Sequence, residues 1–183
     1  MNKPKKQQKE QQEKRQDRDF FQTPNYATDL LLPYIPDGIV WDCASGNGRI
    51  AQRLRVAQGR SVIETDIESG FNFLSDTPNF QFDLIVENPP FSLKRKFFEK
   101  CISYDVPFAL LLPVDFCGWI ARAMTDENIK WLIPTRRIDF ITPTGKNGKS
   151  SSAQFHSGWF CYKFFLPNQV TIVELTNKMK ENV

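Results

Sequence analysis

Short apolar runs alternate with stretches of helical spacing along most of this 183-residue chain. That alternation predicts a sheet sandwiched between helices. Gly38–Cys43 reads as a first strand that ends at Asp42 or Cys43. Ile50–Val56 follows with helical periodicity, then Ser61–Asp66 as a second strand. Phe82–Glu87 is a third, and its short apolar run reads as a buried strand. Leu93–Ile102 and Phe116–Met124 read as helices on either side of a buried strand, Phe108–Leu112. Lys130–Ile141 and the aromatic Gly158–Leu166 are expected to pair antiparallel at the sheet edge. Upstream, Asn25 is placed to cap a short helix whose apolar face carries Ala27, Leu30 and Leu31. The predicted fold is α/β: a Rossmann-like, three-layer, mostly parallel sheet with an antiparallel last strand. Only 22 residues separate Asp66 from Asn88, so the middle of the fold must be abridged.

The third strand stops abruptly at Asn88-Pro89-Pro90-Phe91, because proline cannot donate to a sheet ladder. Asn88 thus falls just past the carboxyl end of a central strand, where open α/β sheets hold their ligands. Its side chain offers an amide oxygen, Pro89 a carbonyl, and Phe91 an aromatic face. Two converging acceptors beside a ring suit a planar substrate with an amino group. Accepting both N–H protons draws the nitrogen toward a tetrahedral shape and frees its lone pair for an electrophile. Stabilisation that grows as charge develops accelerates a reaction. The same four residues also make an ordinary turn.

Between the first strand and its helix lies Ala44-Ser45-Gly46-Asn47-Gly48-Arg49. Glycines there let a ligand approach the backbone, and the helix N-terminus favours negative charge. A third glycine at dinucleotide spacing is absent, since Ala51 stands there. Asp66 lies 18 residues beyond Gly48, close to the spacing at which an acid meets a ribose hydroxyl pair. Glu64 is a rival for that role. Gly148-Lys149-Ser150 is not a phosphate loop, because Pro143 occupies the first glycine position and a strand follows.

Charge changes the picture at one end. Residues 1–18 hold seven Lys/Arg and three Asp/Glu, whereas the remainder is nearly balanced. That tail lacks apolar periodicity and is expected to be disordered, either a solubilising leader or an arm that finds polyanions. Residues 19–183 then form one catalytic domain. The loop Thr142–Gln154 supplies Lys146 and Lys149 as phosphate contacts. No run of 18 apolar residues exists, and the start is no secretory signal, so no membrane partner is expected. Four scattered cysteines and one histidine argue against a metal site and for reduced thiols in a cytoplasmic protein.

Together these motifs resemble the class I S-adenosylmethionine-dependent amino-methyltransferases, most nearly the N6-adenine DNA methyltransferases. The resemblance implies that Asn88, Pro89, Pro90 and Phe91 receive the target amine. It implies a cofactor site drawn from Phe21, Thr23 and Pro24 upstream, from Asp42, Ala44, Gly46 and Gly48, and from Asp66, Phe73 and Asn88. Two departures stand out: Asn72 replaces an acid that contacts the cofactor's adenine, and Phe91 replaces the commoner tyrosine. Phe91 and Trp159 are the candidates to flank a base taken out of the stack. The chain ends too soon after Leu166 to hold a target-recognition domain. The expectation is therefore weak or short sequence preference on DNA, unless a separate specificity subunit reads the site. Methylation of guanine N2 in RNA or of a glutamine amide in protein are alternatives. A nonenzymatic nucleic-acid-binding module on the same fold is another.

Overall fold

A computed structural model describes residues 21–141 and 155–181. The leading tail and the Lys146 and Lys149 loop positions lie outside the described residues. The described elements are helices α1 (Asn25–Asp29), α2 (Arg49–Gln58), α3 (Lys94–Tyr104) and α4 (Gly118–Asp126). The strands are β1 (Val40–Asp42), β2 (Val62–Glu64), β3 (Leu84–Glu87), β4 (Phe108–Pro113), β5 (Lys130–Pro134), β6 (Ser157–Tyr162) and β7 (Val170–Val173).

One seven-stranded sheet runs in the order β2-β1-β3-β4-β6-β5-β7. Every neighbouring pair is parallel except those made by β6, which is antiparallel to both β4 and β5. The fold is the α/β Rossmann-like sheet that the alternating pattern predicts. Successive residues of the central strands face opposite layers. Val40, Leu84, Val86, Ala109, Leu111, Trp159 and Cys161 pack with α1 and α2 residues such as Ala27, Ile50 and Leu54. Trp41, Ile85, Phe108, Leu110, Leu112 and Phe160 pack with Phe97, Phe98 and Cys101 of α3 and Ile120 and Ala123 of α4. Two covered faces explain why these strands read as continuous apolar runs.

Three expectations need correction. Asn25 does not cap α1: Pro24 occupies that position in extended conformation, and no side chain caps the helix. Proline suits the spot because its missing N–H would have had no partner there. The β5–β6 pair forms as expected but not at the edge. β7 lies in the segment from Pro167, for which no element is predicted; it adds parallel to β5 and becomes the outer strand. β6 also stops at Tyr162 rather than Leu166, because Lys163 takes a positive φ of 55° that a strand cannot carry. The abridged middle is filled with aromatic rings in place of a helix. Between β2 and β3 there is only a 3-10 turn, Ile67–Ser69, and Trp41 there meets Phe71, Phe73, Phe80, Phe82 and Tyr104. Edge-to-face contacts among such rings add to their burial.

Candidate active site

The chain leaves β1 to form β2 on one side and returns to place β3 on the other. The carboxyl ends of β1 and β3 therefore flank a topological switch point, where open sheets form a crevice. A cleft of about 650 Å³ opens there. That volume lies within the range of small-molecule and cofactor sites.

The turn after β1 supplies one wall. Gly46 and Gly48 adopt φ of 52° and 68°, which glycine takes without strain. The Gly46 N–H donates to the Asp66 carboxylate at 2.9 Å, and Asp66 also accepts from the Glu68 N–H at 2.9 Å. One carboxylate thus holds the glycine turn and caps the 3-10 turn that follows β2. A Cβ on Gly46 would press on the Gln22 side chain. Glu64 does not line the cleft; it pairs with Arg55 of α2 and packs under Gly48, where a Cβ would collide with it.

A strap of residues 21–23 crosses beside both turns. Gln22 and Ile141 exchange backbone hydrogen bonds of 2.9 and 3.0 Å, and Arg49 of α2 donates to the Thr23 carbonyl at 3.1 Å. The Asn88 amide nitrogen donates to the Phe21 carbonyl at 2.9 Å. That bond fixes the orientation of the side chain. It leaves Asn88 Oδ1 buried and without a hydrogen-bond partner. A buried acceptor left unpaired is costly unless a ligand completes it.

Phe21, Thr23, Asp42, Ala44, Gly46, Asp66, Phe73, Asn88 and Pro90 all line this cleft, as does Asn72. The Asn72 side-chain oxygen Oδ1 accepts from the Leu74 N–H at 3.1 Å, so part of that side chain serves the local turn. Pro24 and Gly48 stand behind the lining, as the caps of α1 and α2. Pro89 is buried, and Phe91 is half-buried, with its ring edge-to-face with Phe140 and Phe155. Neither Pro89 nor Phe91 lines the cleft, and Trp159 does not either. It is fully buried in the sheet, and its indole N–H donates to the Ala27 carbonyl at 2.8 Å. Its bulk serves the core between β6 and α1, so it cannot flank a substrate.

Glu87 was given no role by sequence reasoning, yet it is central. It is 1% exposed, accepts from the Ala44 N–H and from the Asn88 N–H, and so ties the two turns together. Burial pushes its carboxyl up to about 7, and the adjacent Asp42 is raised well above the usual carboxylate range for the same reason. The available signal was an acid ending an otherwise apolar strand. Among the described residues there is no group of three or more metal-ligating side chains, and no helix is long and apolar enough to cross a membrane. All four cysteines are free thiols.

No protein-family model matches the chain, and no curated protein matches it. Solved structures do. A dimethyladenosine transferase from Plasmodium falciparum aligns at 12% identity and a TM-score of 0.43, covering 78% of this chain and 62% of that one. The chain therefore spans less than two thirds of that enzyme's structure. A candidate RNA methyltransferase from Pyrococcus horikoshii aligns at 14% identity and 0.38, covering 76% and 80%. The plantazolicin methyltransferase, solved with a substrate analogue and S-adenosylhomocysteine, aligns at 11% identity and 0.40, covering 75% and 81%. The fold assignment stands on the strand order and on the crevice between β1 and β3.

Proposed function

We propose that this chain is an S-adenosylmethionine-dependent methyltransferase acting on an exocyclic amino nitrogen, with adenine N6 in DNA as the leading substrate. The observation that carries the reading is the unpartnered Asn88 Oδ1 at the wall of the cleft. An amino group is the ligand that such an acceptor completes.

The cleft fits the cofactor in size and in donor set. The Ala44–Asn47 turn would meet its polar end, Asp66 its ribose hydroxyls, and Phe73 its purine. Asp66 keeps accepting capacity beyond its two N–H bonds, because a carboxylate has about four lone-pair sites. When bound, the cofactor supplies an electrophilic methyl group. Asn88 Oδ1 and the Pro89 carbonyl accept the two N–H bonds of the incoming amine. The Phe21 carbonyl holds the Asn88 side chain in that orientation, so little reorganisation is needed during reaction. The accepted bonds pull the nitrogen out of conjugation, and Phe91 offers its ring to the base. The extra proton leaves to water, since the alkylated nitrogen is acidic, and no basic side chain is required. The Lys146 and Lys149 positions would contact backbone phosphates, and sequence preference would be weak or short unless a second subunit supplies it.

Labelled cofactor incubated with DNA, RNA and protein pools tests the reading, with Asn88→Ala as the control. Label in DNA, recovered as N6-methyladenine and lost in the variant, is the expected result. Label in RNA or protein alone keeps the reaction and replaces the substrate. Label nowhere, with no cofactor binding, removes the methyltransferase reading.

A further inference from the structure

Two carboxyl groups, Asp42 at the end of β1 and Glu87 at the end of β3, form the inner wall of the cleft, and the amine chemistry leaves both unused. Each is 1% exposed, and both line the cleft. Two ionised carboxylates buried side by side repel and are poorly solvated, so the pair holds a proton. The hydrogen bonds locate it. Glu87 accepts from the Ala44 N–H, from the Asn88 N–H at 2.8 Å and from the Cys43 thiol. Asp42 accepts from the Ala51 N–H at 3.2 Å, while its Oδ1 is buried without a partner. A proton on that oxygen turns an orphaned acceptor into a donor, with Glu87 within reach. The neutral acid is then Asp42, and the negative charge rests on Glu87, where donors converge.

We propose, resting on the S-adenosylmethionine reading above, that Glu87 is the charge-selective element of the cofactor site. It is a single buried negative charge that favours the cationic sulfonium cofactor over its neutral product, S-adenosylhomocysteine. Favouring the cation has a use, because product that binds as tightly as cofactor would block the next turnover. The two ligands share every other ionisable group. The ratio of their affinities therefore isolates the sulfonium charge.

The surroundings leave Glu87 as the group whose charge changes near neutrality. Cys43 beside it and Cys101 on α3 are thiols that burial raises well above their usual range, so they stay neutral. Glu64 on β2 is held by Arg55. Burial pushes Glu87 up to about 7. The charge is thus present above that pH and lost as pH falls below it.

Calorimetry of the full chain with S-adenosylmethionine and S-adenosylhomocysteine tests this. One buried charge should favour the cation by about tenfold in affinity at about pH 8. That preference should shrink toward unity at about pH 5.5, where Glu87 carries its proton. Glu87→Gln keeps the shape and removes the charge, so its ratio should be near unity at both pH values. Asp42→Asn keeps a donor toward Glu87 and should retain the preference. Should Glu87→Gln fail to fold, the wild-type pH series decides by itself. Equal wild-type affinities at about pH 8, a ratio unmoved by pH, or a preference kept in a folded Glu87→Gln variant each overturns the charge assignment. Binding of neither ligand overturns the methyltransferase reading and this inference with it.

Discussion

The turn after β1 and the turn after β3 leave adjacent strands at one edge of the sheet, yet they handle their polar groups differently. In the first, Asp66 accepts from Gly46 and Glu68, and Ser45 and Thr65 share a backbone bond of 3.0 Å. Asp42 Oδ1 apart, that wall is bonded to itself before any ligand arrives. In the second, Asn88 donates to the Phe21 carbonyl and keeps a buried oxygen with nothing to accept. A self-satisfied wall suits a ligand that must be held, since its geometry is set in advance. An unsatisfied acceptor suits a group that must be reshaped, because its bond forms only with that group. Glu87 is the link between the two, bonded to one N–H of each turn.

Removing the unsatisfied acceptor should therefore have the largest effect, and on rate alone. Asn88→Ala should lower methyl transfer by about 10²–10³ while S-adenosylmethionine binding changes little. Steady-state rates and calorimetry on the same preparation separate the two. A folded variant that keeps most of its activity would remove Asn88 from the chemistry.

Breaking the self-satisfied wall should act on binding instead. Asp66→Ala should weaken cofactor binding by about 1.5–3 kcal/mol, the worth of charge-assisted hydrogen bonds. Some of the loss should appear as a lower melting temperature, because Asp66 also caps the Ile67–Ser69 turn. Glu64→Ala is the contrast. It breaks an exposed ion pair with Arg55 and should cost binding little. A larger loss in Glu64→Ala than in Asp66→Ala would reverse the two acids.

The strands and the crevice were legible because burial on both faces writes an unbroken apolar run, and the proline pair marks where β3 ends. The cleft positions of Asp66, Gly46 and Asn88 were legible because each sits at a fixed offset from a strand end. Glu87 was not, since its role depends on β1 and β3 being neighbours, a fact of sheet order and not of spacing. β7 was missed because only four residues form it, and half of them are exposed on an outer strand. Trp159 was misread for a related reason. An aromatic residue in a strand looks the same in sequence whether it faces a substrate or a helix.

Trp159 also supplies the smallest expected effect. Its indole N–H reaches the Ala27 carbonyl across the interface between β6 and α1. Trp159→Phe keeps most of the apolar bulk and removes the donor, leaving that carbonyl without its side-chain partner. Leaving a buried polar group unpaired costs about 1–3 kcal/mol. Each kcal/mol moves the midpoint of a domain of this size by roughly 2–4 °C. The variant should therefore melt a few degrees lower, while its rate at saturating substrate stays near that of the unaltered chain. The Asn88 bond to the Phe21 carbonyl lies on the strap ahead of α1, so a shift of α1 is one route from Trp159 to the site, and β4, which pairs with both β6 and β3, is another. A fall in rate comparable to that of Asn88→Ala, without a comparable loss of stability, would return Trp159 to the substrate side of the molecule.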